Sequence, residues 1–234
     1  MLTRANRAFN TEVNDLLLTA LARAMKEWHG KRRTLITFEG HGREGIVEEV
    51  DVTRTVGWFT SMYPVILELP EKEDMGFQIK CTKEMLRRIP NKGMGYGILK
   101  YITPEEFKRD IRFESKPLVS FNYLGRFDED LKKGLFRIAE EPMGTPISSE
   151  VETTSEIDIN GMVSGRQLRM TIYYNQKLFE EKTIEKIAFA FEKELNEVTR
   201  YCMNCEFPEL TPSDIDYKGL SVDELEKVIS NLEG

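Results

Sequence analysis

The chain has 234 residues, 33 of them Lys or Arg against 40 Asp or Glu, for a net charge of −7 at neutral pH. That balance argues against a nucleic-acid partner, which would need a basic stripe; no run reaches 18 apolar residues, so nothing spans a bilayer, and no apolar h-region marks a signal peptide. With 40% apolar residues and three cysteines, too few for a secreted disulfide framework, the composition describes one large domain or two small ones with a packed core, expected in the cytoplasm.

The first predicted element is a helix from Glu12 to Trp28. Val13, Leu16, Leu17, Ala20, Leu21, Ala24 and Trp28 recur at three and four residues, Asn10 or Thr11 can cap its start, and Gly30 can end it. Thr34–Glu39 has strand composition. It runs into Glu39-Gly40-His41-Gly42-Arg43-Glu44, which sets two carboxylates, an imidazole and a guanidinium around two glycines. A second dense block, Arg54-Thr55-Val56-Gly57-Trp58-Phe59-Thr60-Ser61-Met62-Tyr63-Pro64, follows. Tyr63–Leu69 reads as a strand apolar on both faces and therefore central, and Pro70–Asp74 as a solvated loop. A helix over Gly76–Ile89 stops at Pro90.

In Pro90-Asn91-Lys92-Gly93-Met94-Gly95-Tyr96-Gly97 no Lys-Ser/Thr follows the glycines and no strand leads in, which argues against a phosphate loop. Thr103-Pro104-Glu105-Glu106 has the form of a capping box with proline at the first helical position. Leu118–Tyr123 predicts a third strand and contains Phe121-Asn122-Tyr123. Gly125–Ser155 reads as a long excursion, and Ser155–Met162 with Arg166–Tyr174 as a hairpin around Val163-Ser164-Gly165. Ile184, Ile187, Ala188, Phe191, Leu195 and Val198 mark a long amphipathic helix. Cys202 and Cys205 lack a second pair of ligands, so their role is structural and no metal site is expected. Ser221 and Glu224 form another capping box before a final helix. The order of elements predicts an α/β fold, a two-layer sandwich with a mixed sheet.

The blocks at 39–44, 54–64, 90–97 and 121–125 together resemble the signature series of epimerization domains from nonribosomal peptide synthetases. The flanks Asn10–Asp15 and Thr211–Asp214 are similar to that family too. The likeness covers nearly the whole chain and extends in particular to the first-module epimerization domains of gramicidin S and tyrocidine synthetases. The 39–44 block separates epimerization from ordinary condensation domains in this superfamily. One departure matters: the family's His-His-x-x-x-Asp-Gly motif is absent, because His29 and His41 have no histidine neighbours. The resemblance therefore implies the C-terminal half of an epimerization domain, with a lobe over 1–207 and a tail and helix over 208–234. The fold implied is one lobe of the chloramphenicol-acetyltransferase-like (condensation-domain superfamily) architecture. There two lobes enclose a tunnel, and Gly125–Ser155 would cross toward the missing N-terminal lobe.

The implied reaction is interconversion of L- and D-aminoacyl or peptidyl thioesters held on the 4′-phosphopantetheine of a peptidyl carrier domain, with no metal and no cofactor bound by this chain. Such a site needs a base, an acid on the opposite face, and donors for an enolate-like oxygen. The resemblance places the family's catalytic glutamate at Glu39, which burial would keep near its protonation midpoint. It marks Asn122 and Tyr123 as functional, although strand alternation lets only one of them face the reaction. His41 is a supporting residue; Arg43 orients Glu39 or braces the tunnel wall. Trp58, Phe59, Ser61 and Tyr63 belong to a tunnel-side segment, and Tyr96 to a block suited to the pantetheine arm. The isolated chain is expected to be inactive. The alternatives are a noncatalytic docking module, or a condensation or acyltransferase half-domain, which the 39–44 block disfavours. The likeness to the first modules points to phenylalanine as the amino acid.

Overall fold

Strand β1 (Arg33–Gly40) is the hub from which the sheet grows in both directions. It pairs antiparallel with β2 (Ser61–Glu68) and parallel with β3 (Val119–Arg126). Beyond β3 come β4 (Ile157–Ser164), parallel, and β5 (Gln167–Tyr174), antiparallel, giving the order β2-β1-β3-β4-β5. This computed structural model describes residues 2–45, 49–126, 155–165, 167–215 and 219–233. The mixed sheet and its α/β class agree with the sequence reading. Most of the expected Gly125–Ser155 excursion, residues 127–154, lies outside the described residues. The hairpin is present, turning at Gly165 with φ of +60°.

β2 corrects one expectation: it is an edge strand of the described sheet, not a central one. Its inward residues Tyr63, Val65 and Leu67 are buried while Met62 and Ile66 are exposed. Apolar residues on both faces therefore came from a half-covered edge rather than from burial on both sides.

Six α-helices lie in the described chain, besides shorter 3-10 and π turns: α1 (Leu2–Ala5), α2 (Val13–His29), α3 (Met75–Arg87), α4 (Met94–Gly97), α5 (Glu181–Asn204) and α6 (Val222–Glu233). α2 and α5 bury their apolar stripes against one face of the sheet. Leu16, Leu17 and Leu21 meet Ile36, Phe38, Phe121, Ile157, Ile159, Ile187 and Phe191 in a single core. Phe121 stacks on Phe38 and stands edge-on to Phe191, with centroids 6.4 and 6.5 Å apart. The α2 cap is Glu12, whose backbone N–H donates to Asp15 at 2.7 Å, rather than Asn10 or Thr11. Those two are engaged elsewhere: Asn10 bonds Asp214, and the Thr11 hydroxyl turns back to Asn6. Gly30 ends the helix in the left-handed conformation, φ +74°, as expected.

The Thr103 capping box does not open a helix. Thr103 donates its hydroxyl to the Ile98 carbonyl at 3.1 Å, closing the preceding turn, and only a short 3-10 turn over Glu105–Phe107 follows. The second box does form: Glu224 accepts the Ser221 N–H at 2.8 Å, and the Glu224 N–H donates to the Ser221 hydroxyl at 3.2 Å.

The tail is tied back onto the helical layer. The Glu209 N–H donates to the Ala8 carbonyl, and Lys80 bridges Glu209 and Glu226 at 2.9 and 2.5 Å. Lys83 pairs with Asp214 at 2.7 Å. Pro70–Asp74 is exposed as expected but anchored, since Arg32 donates to the Pro70 and Glu71 carbonyls.

Candidate active site on the open face of the sheet

Side chains alternate between the two faces of a strand, so strand register decides which candidates meet. On the face away from α2 and α5, pairing sets Met62, Glu39, Asn122, Asn160 and Thr171 in one row. The adjacent row holds Pro64, Thr37, Ser120, Asp158 and Tyr173. The middle of both rows is polar. β3 supplies one donor to each carboxylate: Asn122 Nδ2 donates to Glu39 Oε2 at 2.9 Å, and Ser120 Oγ donates to Asp158 Oδ1. Burial pushes the Glu39 carboxyl above the usual glutamate range, and the charge of Asp158 adds to the shift.

Tyr123 takes the opposite direction. It pairs with Gly161 across β4, packs against the helix-side core and lies close to Gly161. The sheet separates it from Glu39, so of the two β3 candidates only Asn122 joins the glutamate. Burial raises the Tyr123 phenol, with Arg126 opposing.

The rest of the 39–44 block builds the loop above Glu39. Gly42 has φ of +66°, and a Cβ there would sit 1.6 Å from the Phe59 carbonyl oxygen, so only glycine fits the crossing. Arg43 does not orient Glu39. It donates to the Val52 carbonyl at 2.6 Å and the Gly57 carbonyl at 3.3 Å, with its guanidinium 4.2 Å above the Phe59 ring. Those contacts brace the loop between residues 43 and 59. His41 is turned into the loop as well: Nδ1 accepts the Arg43 N–H at 3.0 Å, and Nε2 lies 3.2 Å from Glu44. Glu44 also reaches Lys92 at 3.2 Å, linking this loop to the 90–97 block.

The 54–64 block divides. Val56 is fully exposed and Trp58 91% exposed, while Phe59 lies under Arg43. Ser61 pairs with Gly40 on the core side. Tyr63 is buried edge-on to Phe38 at 5.7 Å, its phenol pushed up to about 12 by burial and by Glu44. Ser61 and Tyr63 thus point away from the Glu39 row, because they are odd-numbered in a strand whose even members face it. Gly93, φ +81°, packs against the Tyr63 ring so closely that a Cβ added there would lie 2.2 Å from it.

Tyr96 stands edge-on to Phe113 at 5.6 Å. Together with Lys100, Tyr101 and Lys116 it walls a cavity of about 560 Å³ whose floor includes Thr37 and Met62, neighbours of Glu39 on the open face. Among the described residues, no group of three or more His, Cys, Asp or Glu is placed to hold a metal. No described helix is long and apolar enough to cross a membrane. Cys202 is buried with its thiol pushed up to about 12, and Cys205 bonds the Tyr201 carbonyl at 3.4 Å.

Sequence reasoning missed Ser120 and Asp158. Their signal was a single polar residue between apolar neighbours, Val119/Phe121 and Ile157/Ile159, legible only once register is known.

A mixed sheet with helices on one face and a polar, carboxylate-bearing opposite face is the class of fold that comparison then identifies. The condensation-domain family description matches residues 1–220, and the chain belongs to that family. Among solved structures, the epimerization domain from the third module of tyrocidine synthetase B is 44% identical with a TM-score of 0.80, over 86% of this chain and 45% of that one. Surfactin synthase subunit 1 of Bacillus subtilis (strain 168) is 45% identical over 97% of this chain and 6% of its own length. Gramicidin S synthase 1 of Brevibacillus brevis is 42% identical over 99% of this chain and 22% of its own length. The chain therefore spans only a small part of these curated relatives. The condensation domain of the Monacolin K polyketide synthase MokA, TM-score 0.60 at 12% identity, shares the fold alone.

Proposed function

We propose that this chain is the C-terminal lobe of a peptide-synthetase epimerization domain and supplies one of two proton-transfer groups that interconvert L- and D-aminoacyl or peptidyl thioesters. The observation that carries this reading is Glu39. It is half-buried, held by a hub strand, hydrogen-bonded by Asn122 and raised in pKa on an open polar face. A carboxylate poised toward neutrality can both take and return a proton.

In one direction ionised Glu39 removes the α-proton. The electron pair left on the α-carbon spreads into the thioester carbonyl, and a group from the other lobe protonates the opposite face. In the reverse direction protonated Glu39 gives its proton back. Asn122 fixes the carboxylate; Tyr123, behind the sheet, takes no direct part. The thioester substrate would arrive on the 4′-phosphopantetheine of a carrier domain, along the cavity walled by Tyr96, Tyr101, Lys100 and Lys116. The exposed Val56 and Trp58 would be covered by the N-terminal lobe. The 44% identity to an epimerization domain favours this chemistry over condensation, whose structural likeness at 12% reaches only the fold.

The test is α-hydrogen exchange in deuterated water, with L- or D-aminoacyl carrier protein and this lobe combined with its N-terminal partner. Glu39→Gln should depress exchange from one enantiomer by roughly 10²–10⁴-fold while sparing the other in single turnover. Near-normal exchange in both directions would make Glu39 structural. Appreciable exchange by the lobe alone would refute the two-lobe site.

A further inference from the structure

We propose that Asp158 is a positioning residue of this site, a second carboxylate that acts on the reaction through Glu39. The inference rests on the reading of Glu39 as a proton-transfer group. Register places Asp158 on the same open face as Glu39, one strand beyond Asn122 and one row down. β3 threads between the two and holds each with a separate donor, Asn122 for Glu39 and Ser120 for Asp158. Among the described residues, no arginine or lysine hydrogen-bonds or ion-pairs with either carboxylate. Two carboxylates on one partly desolvated surface resist ionising together, and burial with the Asp158 charge does raise Glu39.

Among the described residues, other charged or titratable groups lie near this region. Glu156, ahead of β4, accepts from Asn175. Arg169 and Tyr173 lie on the open side of β5. Lys100, Glu114 and Lys116 wall the neighbouring cavity. His41, Arg43 and Glu44 are engaged within the loop above. Asp158 alone among these contributes a charge effect resolved on Glu39.

The consequence concerns which half of the reaction is favoured. Glu39 must be ionised to take the α-proton and protonated to return it. A charge at Asp158 favours the protonated form, and so favours the half of the reaction in which Glu39 gives its proton back. Asp158 never touches substrate in this scheme.

The experiment reads the Glu39 side-chain carboxyl carbon by NMR across a pH titration of this chain, without any activity measurement. Asp158→Asn should move the Glu39 midpoint to lower pH, and Asp158→Ser should do the same without the amide. Glu185→Gln, on α5 across the core, should leave it in place. In the reconstituted domain, the acid limb of α-proton removal should shift down in parallel for D158N, with the proton-returning direction weakened near neutrality. An unmoved midpoint in both Asp158 variants overturns the inference, whatever the activity. If the midpoint moves but Glu39→Gln keeps full exchange, the coupling stands and the functional reading of Glu39 falls instead.

Discussion

Asp214→Ala should loosen the whole helical layer, because Asp214 is where the tail is fastened. Its carboxylate accepts from Lys83 at 2.7 and 2.8 Å, from Asn10 at 2.7 Å, and from the Thr211 N–H and hydroxyl at 2.8 and 3.0 Å. The Lys83 side chain is 2% exposed, and without Asp214 its ammonium keeps, among the described residues, the Phe9 carbonyl 2.9 Å away. Stranding one charge of a buried pair costs about 3–5 kcal/mol. For a chain of this size each kcal/mol lowers Tm by about 2–4 °C, so a fall of roughly 6–20 °C is expected by circular dichroism or calorimetry. The double variant Lys83→Met/Asp214→Ala should be less destabilised than Asp214→Ala alone, since the stranded ammonium has gone. pH supplies an independent check. Burial would raise the Asp214 carboxyl, but Lys83, the Thr211 N–H and Asn10 together hold it below its ordinary value. A depressed folded pKa means the stabilisation is present above the unfolded value of 3.8 and is lost as pH falls through the lower folded value. Asp214→Ala should therefore remove part of the acid-induced loss of stability below pH 4. A change under about 1 kcal/mol together with an unaltered acid limb would refute the reasoning.

Gly93→Ala forces an L side chain to φ +81° and a Cβ to within 2.2 Å of the buried Tyr63 ring; more than about 2 kcal/mol should be lost in urea unfolding, conformation alone costing about 1–2. Gly95→Ala, with nothing within 4 Å of its added Cβ, should stay within about 0.5 kcal/mol of wild type, and equal effects of the two changes would discount the Tyr63 contact. Trp58, 91% exposed, should account for the larger part of acrylamide quenching of tryptophan fluorescence, while Trp28, half-buried and 6.2 Å edge-on to Phe179, is quenched less. Quenching undiminished by Trp58→Phe would contradict the exposed loop.

Long periodic segments were legible in the sequence because one physical cause, burial of a stripe, dictates both pattern and structure. The helices at 13–29 and 181–204 and the strands at 33–40 and 119–126 follow from that. Where several causes compete, the sequence is mute. Within 63–69, Pro64 and Ile66 mimic a central strand because an edge strand can carry apolar residues on its open side. Thr103 has the right neighbours for a cap but is taken by the Ile98 carbonyl. Glu39 and Asn122 were found through resemblance, and alternation already limited the FNYLG strand to one facing residue without saying which. Asp158 could not be found that way, because its relation to Glu39 exists only through the pairing of three strands distant in sequence.

The centre of β3 ties the reading frame of the chain to its chemistry. Phe121, fully buried between Phe38 and Phe191, and Asn122, bonded to Glu39, are consecutive residues with opposite duties. Because the side-chain period is two, one residue inserted or deleted ahead of them would turn every member of the strand to the wrong layer. A phenyl ring would then land among the carboxylates, and an amide would lie under the helices without partners. Small indels here cannot trade activity against stability by degrees; both fail in the same step. Changes of length should be tolerated in the connections, and this strand should accept point substitutions while rejecting any change of frame.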